Sequence, residues 1–214
     1  MKKFIDEMER EVSRVKEYIP PIAILITADA GAGKFELARK LSKDLSIYLI
    51  SNDYVRNYFY QLAENTSEDT RLDIQDMVQE INEDRSKYLI SHRISFVFDQ
   101  NVHNIECYEK INKKLYNTPF RQFKIRIHSD DQHNIKAIHD RVMDYDRKED
   151  DVIGDNVFYA SSFSEEVYWQ IKKRKEITLD DGWFDFVINR TDDNEKFEKD
   201  MDDVVKKIKK YVES

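Results

Sequence analysis

Cysteine is almost missing from this 214-residue sequence. Cys107 is its one thiol, which excludes an internal disulfide and a zinc site built from cysteines, and suits a reducing cytosol. Proline and glycine are scarce as well, at 3 and 4 residues, so few connections can rely on special backbone conformations. Long apolar runs are lacking: the longest, Ile19 to Ala28, contains Pro20 and Pro21 and is too short to span a bilayer. At the start, MKKFIDEMER places Asp6, Glu7 and Glu9 where a signal peptide needs an apolar stretch. Positive charge is not in excess. With 35 Lys+Arg against 43 Asp+Glu the net charge is −8, which argues against a nucleic-acid coat or a polybasic membrane anchor but leaves room for a local basic cleft. A soluble cytoplasmic protein with no membrane partner is expected.

What is present points to an α/β domain. Hydrophobic residues make up 40% of the chain, enough for a real core, and the length favours one domain with an elaboration over two full ones. Ile22-Ala23-Ile24-Leu25-Ile26 is continuously apolar, as in a strand buried on both faces of a parallel sheet. Further strands are predicted at Ile47–Ile50, Ser95–Phe98, Phe123–Ile127 and Phe184–Ile188, with helical periodicity between them. Strands alternating with helices imply a five-stranded parallel sheet covered by helices on both faces, a three-layer sandwich. One domain is expected over 1–214: an N-terminal helix over 1–19, a core over 20–190, a small helical lid at about 130–160 and a closing helix over 194–213. The polar stretch 148–160 is the candidate for a mobile part of that lid.

Two of the four glycines, Gly31 and Gly33, follow the first strand directly. They fall in Ala28-Asp29-Ala30-Gly31-Ala32-Gly33-Lys34-Phe35, close to the phosphate-loop pattern G-x-x-x-x-G-K-[ST] and in the right strand–loop–helix context. There, backbone N–H groups from Asp29, Ala30, Gly31, Ala32, Gly33, Lys34 and Phe35 can cradle phosphates, and Lys34 can reach the β/γ-phosphates. Ala28 stands where the pattern has glycine, and Phe35 where it has the hydroxyl that ligates Mg²⁺; Glu36 offers no hydroxyl either. The alternative is a tight strand-to-helix turn with an exposed lysine.

Ser51-Asn52-Asp53-Tyr54-Val55-Arg56 resembles the D-x-x-R element after the second strand of P-loop polynucleotide kinases and related small ATP-binding kinases. Asp99-Gln100-Asn101 is similar to their D-x-N element after the third strand. Zeta-toxin-like and chloramphenicol-phosphotransferase-like kinases share this layout, which spans roughly residues 20 to 190. The resemblance implies a P-loop NTPase fold, ATP (or GTP) with Mg²⁺, and a hydroxyl-bearing acceptor that is a nucleic-acid end or a small molecule. By position it implies that Asp53 is the general base, that Arg56 holds acceptor-side phosphate, and that Asp99 and Asn101 hold acceptor or metal-bound water. With Phe35 lacking an oxygen, Asp99 is the residue left to contact the metal. Lid arginines of such kinases neutralise phosphate charge, and Arg141 and Arg147 are the candidates, with Arg126 third.

Each position also has a plain structural reading. Asp53 can be an N-cap, Arg56 a solvated or paired cation, and Asp99 the cap of a turn leading to Asn104. Tyr54, Tyr58, Phe59 and Tyr60 can stack a base or simply pack a helix. His128, His133 and His139 do not share one helix face, which makes a metal site there improbable. The leading expectation is a kinase moving the γ-phosphate to a hydroxyl. Its rival is a degenerate nucleotide-binding protein with little phosphotransfer.

Overall fold

The computed structural model describes residues 8–52, 55, 56, 58, 59, 68–99, 104–145, 165–174 and 176–213. Five strands form one sheet in the order β2-β3-β1-β4-β5, and every adjacent pair is parallel. They are β1 (Ile22–Ala28), β2 (Tyr48–Ser51), β3 (Phe96–Asp99), β4 (Arg121–His128) and β5 (Phe186–Asn189). Between and after them run α1 (Lys34–Leu45), α2 (Glu68–Ser91), α3 (Ile105–Leu115), α4 (Asp131–Tyr145), α5 (Glu165–Arg174) and α6 (Asn194–Val212). No described helix is long and apolar enough to cross a membrane.

The central strand shows why this sequence needs two covering layers. Every residue of β1 is buried, and its side chains alternate between two cores. Ile22, Ile24, Ile26 and Ala28 face the core made with α1 and α6. Ala23 and Leu25 face the other, shared with Met8, with Leu89 of α2 and with Leu115 of α3. On α1 the stripe Leu37, Ala38, Leu41 and Leu45 is fully buried, each large member worth about 1.5–3 kcal/mol of transfer free energy. Helix α6 buries Phe197, Met201, Val204, Val205 and Ile208 beside it. Its start is fixed by Asp193, whose carboxylate accepts the Lys196 amide at 2.9 Å.

The sheet departs from the sequence expectation mainly at its last strand. β5 begins at Phe186 rather than Phe184, because residues 181–183 form a 3₁₀ turn closed by the Phe184 amide on the Asp181 carbonyl. Phe184 then packs against the core on the α2–α3 side, and Asp185 makes the first contacts to Lys124 of β4. At the start of α3, Asn104 caps the helix with its own side chain, accepting from the Cys107 amide at 2.8 Å.

Candidate active site

Parallel strands place all their C-terminal ends on one edge, where ligands of such sheets bind. β1 leads there into the glycine loop. Gly31 and Gly33 both adopt left-handed backbone, with φ of +88° and +91°. Their lack of a side chain is needed for space as well. A Cβ on Gly31 would lie 2.6 Å from the Asn134 carbonyl oxygen, and one on Gly33 would lie 2.9 Å from the Phe197 ring. The loop is thus seated between the start of α4 and the first turn of α6. Within it the Ala32 amide donates to the Asp29 carbonyl at 3.3 Å. Helix α1 starts at Lys34 with Gly33 as N-cap and no capping side chain. Amides of a first helical turn have no intrahelical acceptor, so this end suits an anion.

Gly31→Ala is expected to destabilise the fold by about 2–3 kcal/mol, combining left-handed strain with displacement of the Asn134 backbone. Urea denaturation of the variant checks this, and an unchanged midpoint would contradict the described loop.

The two departures from the motif have local reasons. Ala28 is still part of β1, paired with Ile127, and is not among the positive-φ residues, so an alanine fits there without strain. Phe35 is half-buried and belongs to neither core; the Arg39 guanidinium lies 5.7 Å from its ring centre, one turn further along α1. An aromatic ring therefore occupies the place where a hydroxyl would stand.

Lys34 and Asp99 come from separate motifs and meet. The ammonium of Lys34 donates to the Asp99 carboxylate and, at 3.3 Å, to its carbonyl oxygen. Asp99 is only 2% exposed, and Lys34 is partly open to solvent. The pair forms because β3 lies next to β1 in the sheet, which puts a carboxylate from the end of β3 beside the loop lysine. β2 continues this edge: Ser51 is in register with Asp99. Asn82 of α2 props the end of β2, donating to the Asn52 side chain at 2.6 Å, and the buried Arg85 lies against Asn82. Arg56 follows on a helical segment, half-buried.

A second polar cluster joins the loop to α4 and α5. Lys172 of α5 donates to the Asp131 carboxylate and stands 3.9 Å from the Asp29 carboxylate. Tyr168, buried one turn earlier, donates to Asp131 at 2.7 Å and accepts from Asn134 at 3.1 Å. Ser129 donates to Asn134 at 2.7 Å. Burial pushes the Asp29 carboxyl above the usual carboxylate range, partly offset by Lys172. Burial acts in the same direction on Asp131, but hydrogen bonds from Lys172 and Tyr168 outweigh it and hold that carboxyl low. The Tyr168 hydroxyl is pushed well above its ordinary value by burial and by Asp131. The sequence indicated a helix here but no role; a lysine one turn after a tyrosine on a polar helix is too common a pattern to mark a site.

Of the remaining candidates, Arg141 lies on α4. Asp53, Asn101, Arg147, Tyr54, Tyr60 and the stretch 148–160 lie outside the described residues. Arg126 is not a lid residue. It projects from β4, donates to the Leu179 carbonyl and lies 3.6 Å from Asp181, tying β4 to the turn before β5. Tyr58 and Phe59 pack against Val55, Ile74, Val78 and Ile81, which is a core role. His128 and His133 engage different carboxylates, Asp181 at 2.7 Å and Asp192 at 2.8 Å.

Two bare, left-handed glycines, an uncapped helix start and a lysine at its first turn fit the phosphates of a nucleotide. For Mg²⁺ the fit is narrower, since Asp99 is the carboxylate beside Lys34 and Phe35 brings no oxygen.

The family model described as Zeta toxin matches residues 6–148, well over half of the chain. No curated protein matches the sequence. Among solved structures, a presumed kinase from Chloroflexus aurantiacus superposes with a TM-score of 0.67 at 14% identity, covering 89% of this chain and 98% of the other. Kti12 of Chaetomium thermophilum, solved with ADP-AlF3, gives 0.58 at 13% identity with the same coverage, 89% and 98%. The PezAT toxin–antitoxin system of Streptococcus pneumoniae gives 0.54 at 18% identity, over 69% of this chain and 66% of that one. At such identities these structures establish the shared fold, that of P-loop kinases.

Proposed function

The chain belongs to the zeta toxin family, and from that premise we propose that it is an ATP-dependent phosphotransferase acting on a hydroxyl, carried by a nucleic-acid end or a small molecule. The observation that carries this reading is the meeting of Lys34 with Asp99 below a glycine loop at the carboxyl edge of the sheet. ATP is the phosphoryl donor, and Mg²⁺, when bound, would neutralise charge on its phosphates. The loop amides and Lys34 hold the phosphates, and Lys34 leaves the Asp99 carboxylate to do so. Asp99 would then be available to hold the metal. Asp53 accepts the proton of the acceptor hydroxyl, Arg56 and Asn101 orient the acceptor, and Arg141 and Arg147 balance the transferred charge. Placement in the cytoplasm accords with the single thiol and the net charge of −8.

ADP release from ATP tests the activity, measured alone and with oligonucleotide 5′-ends or nucleoside-type alcohols as acceptors. Acceptor-stimulated release supports the proposal, and its absence across the panel counts against it. A second reading, a nucleotide binder with little transfer, is favoured by Phe35. The two part on Phe35→Thr. Restoring a hydroxyl there should increase the Mg²⁺ dependence of ATP affinity and raise turnover, roughly tenfold if one metal ligand is gained. A Mg²⁺ titration of both forms reads this. A wild type already fast and fully Mg²⁺-dependent would show that Asp99 suffices.

A further inference from the structure

A carboxylate inside a phosphate-binding loop is an electrostatic problem. Asp29 follows β1 directly, in the loop that cradles phosphate, and its side chain is largely removed from water. Left alone it would repel a triphosphate over a short, poorly screened distance. Lys172 is the cation the fold brings to it. It arrives from α5, far along the chain, and is held in place by Asp131, which is itself fixed by Tyr168. We propose that Lys172 is a positioning residue of the donor site: it neutralises Asp29 and so sets the affinity of the loop for nucleotide phosphates.

Three features support this role over that of an ordinary surface pair. The ammonium is bonded to Asp131 and also stands 3.9 Å from Asp29; Asp131 alone would satisfy it, so its nearness to Asp29 is set by the geometry of α5 against the loop. Asp29 and the neighbouring Gly31 each meet this cluster, one through Lys172 and the other through the Asn134 backbone. Arg126 and His128 also lie near enough to bear on Asp29, but both are engaged by Asp181. Lys172 is the largest favourable charge on Asp29.

The inference rests on the reading of this loop as a nucleotide site, and the test separates the two. ATP affinity is measured by calorimetry for the wild type, Lys172→Met, Asp29→Asn and the double variant, with melting temperatures alongside. Lys172→Met is expected to weaken ATP roughly tenfold. Asp29→Asn should bind ATP more tightly than the wild type. The double variant has lost both charges of the pair and should bind ATP about as the wild type does. A double variant as weak as Lys172→Met alone would mean that Lys172 contacts phosphate directly or acts through folding, and would overturn the proposal. A wild type that binds no ATP overturns the nucleotide-site reading itself, whereas a wild type that binds ATP beside a double variant that does not recover overturns only the role of Lys172.

Discussion

Replacing Lys34 by alanine is expected to lower γ-phosphate transfer by at least about a hundredfold, the scale on which removing one preorganised donor to developing charge acts. Lys34 sits at the first turn of α1, at the end of the helix that favours anions, and its chain already extends over the carboxyl edge to Asp99. Its loss removes a cation from the phosphates and also takes the ammonium away from Asp99, a carboxylate only 2% exposed. Removing one member of an ion pair whose carboxylate is buried is destabilising. The alanine variant should therefore melt earlier as well as turn over slowly. Lys34→Arg separates the effects: it keeps a cation for Asp99 while changing the reach to phosphate. Turnover and melting temperature of both variants check this. Alanine and wild type with equal ATP affinity and turnover would remove Lys34 from the site.

Asp53→Asn is expected to reduce turnover by about 10²–10⁴, the usual contribution of a positioned general base. The amide is nearly the same size as the carboxylate but cannot accept the acceptor's proton, so nucleotide affinity and melting temperature should stay close to wild type. The competing role, a helix N-cap, predicts near-normal turnover for Asp53→Asn, since asparagine caps about as well, and a stability loss of about 1 kcal/mol for Asp53→Ala. Steady-state kinetics with a denaturation curve on the same preparation decide between them.

The sheet could be read from the sequence because each strand carries a short apolar run and β1 is apolar on both faces, which only a doubly covered parallel sheet accommodates. Gly31 and Gly33 could be read because scarce glycine concentrates where the backbone must turn left-handed. That Asp99 lies at the same sheet edge as the glycine loop follows from parallel strands, but its pairing with Lys34 depends on β3 lying next to β1, which had to come from the structure. Where β5 begins was not readable, since Phe184 is as apolar as a strand residue and only the 3₁₀ turn before it shows that it packs below the sheet. Arg126 was a lid candidate on its charge alone, although the strand predicted over Phe123–Ile127 already contained it; its contacts with Leu179 and Asp181 came only from the structure. Lys172, Tyr168, Asp131 and Asn134 come together only through the packing of α4 against α5, which no local pattern encodes.

The account turns on the glycine loop binding nucleotide, and calorimetric titration of the wild-type protein with ATP, in the presence and absence of Mg²⁺, tests it most directly. Saturable binding is expected in both conditions. The gain from Mg²⁺ should be small, because the loop amides and Lys34 hold the phosphates and Phe35 leaves the metal without its usual hydroxyl. Titrations that show no binding with or without Mg²⁺ would contradict the account.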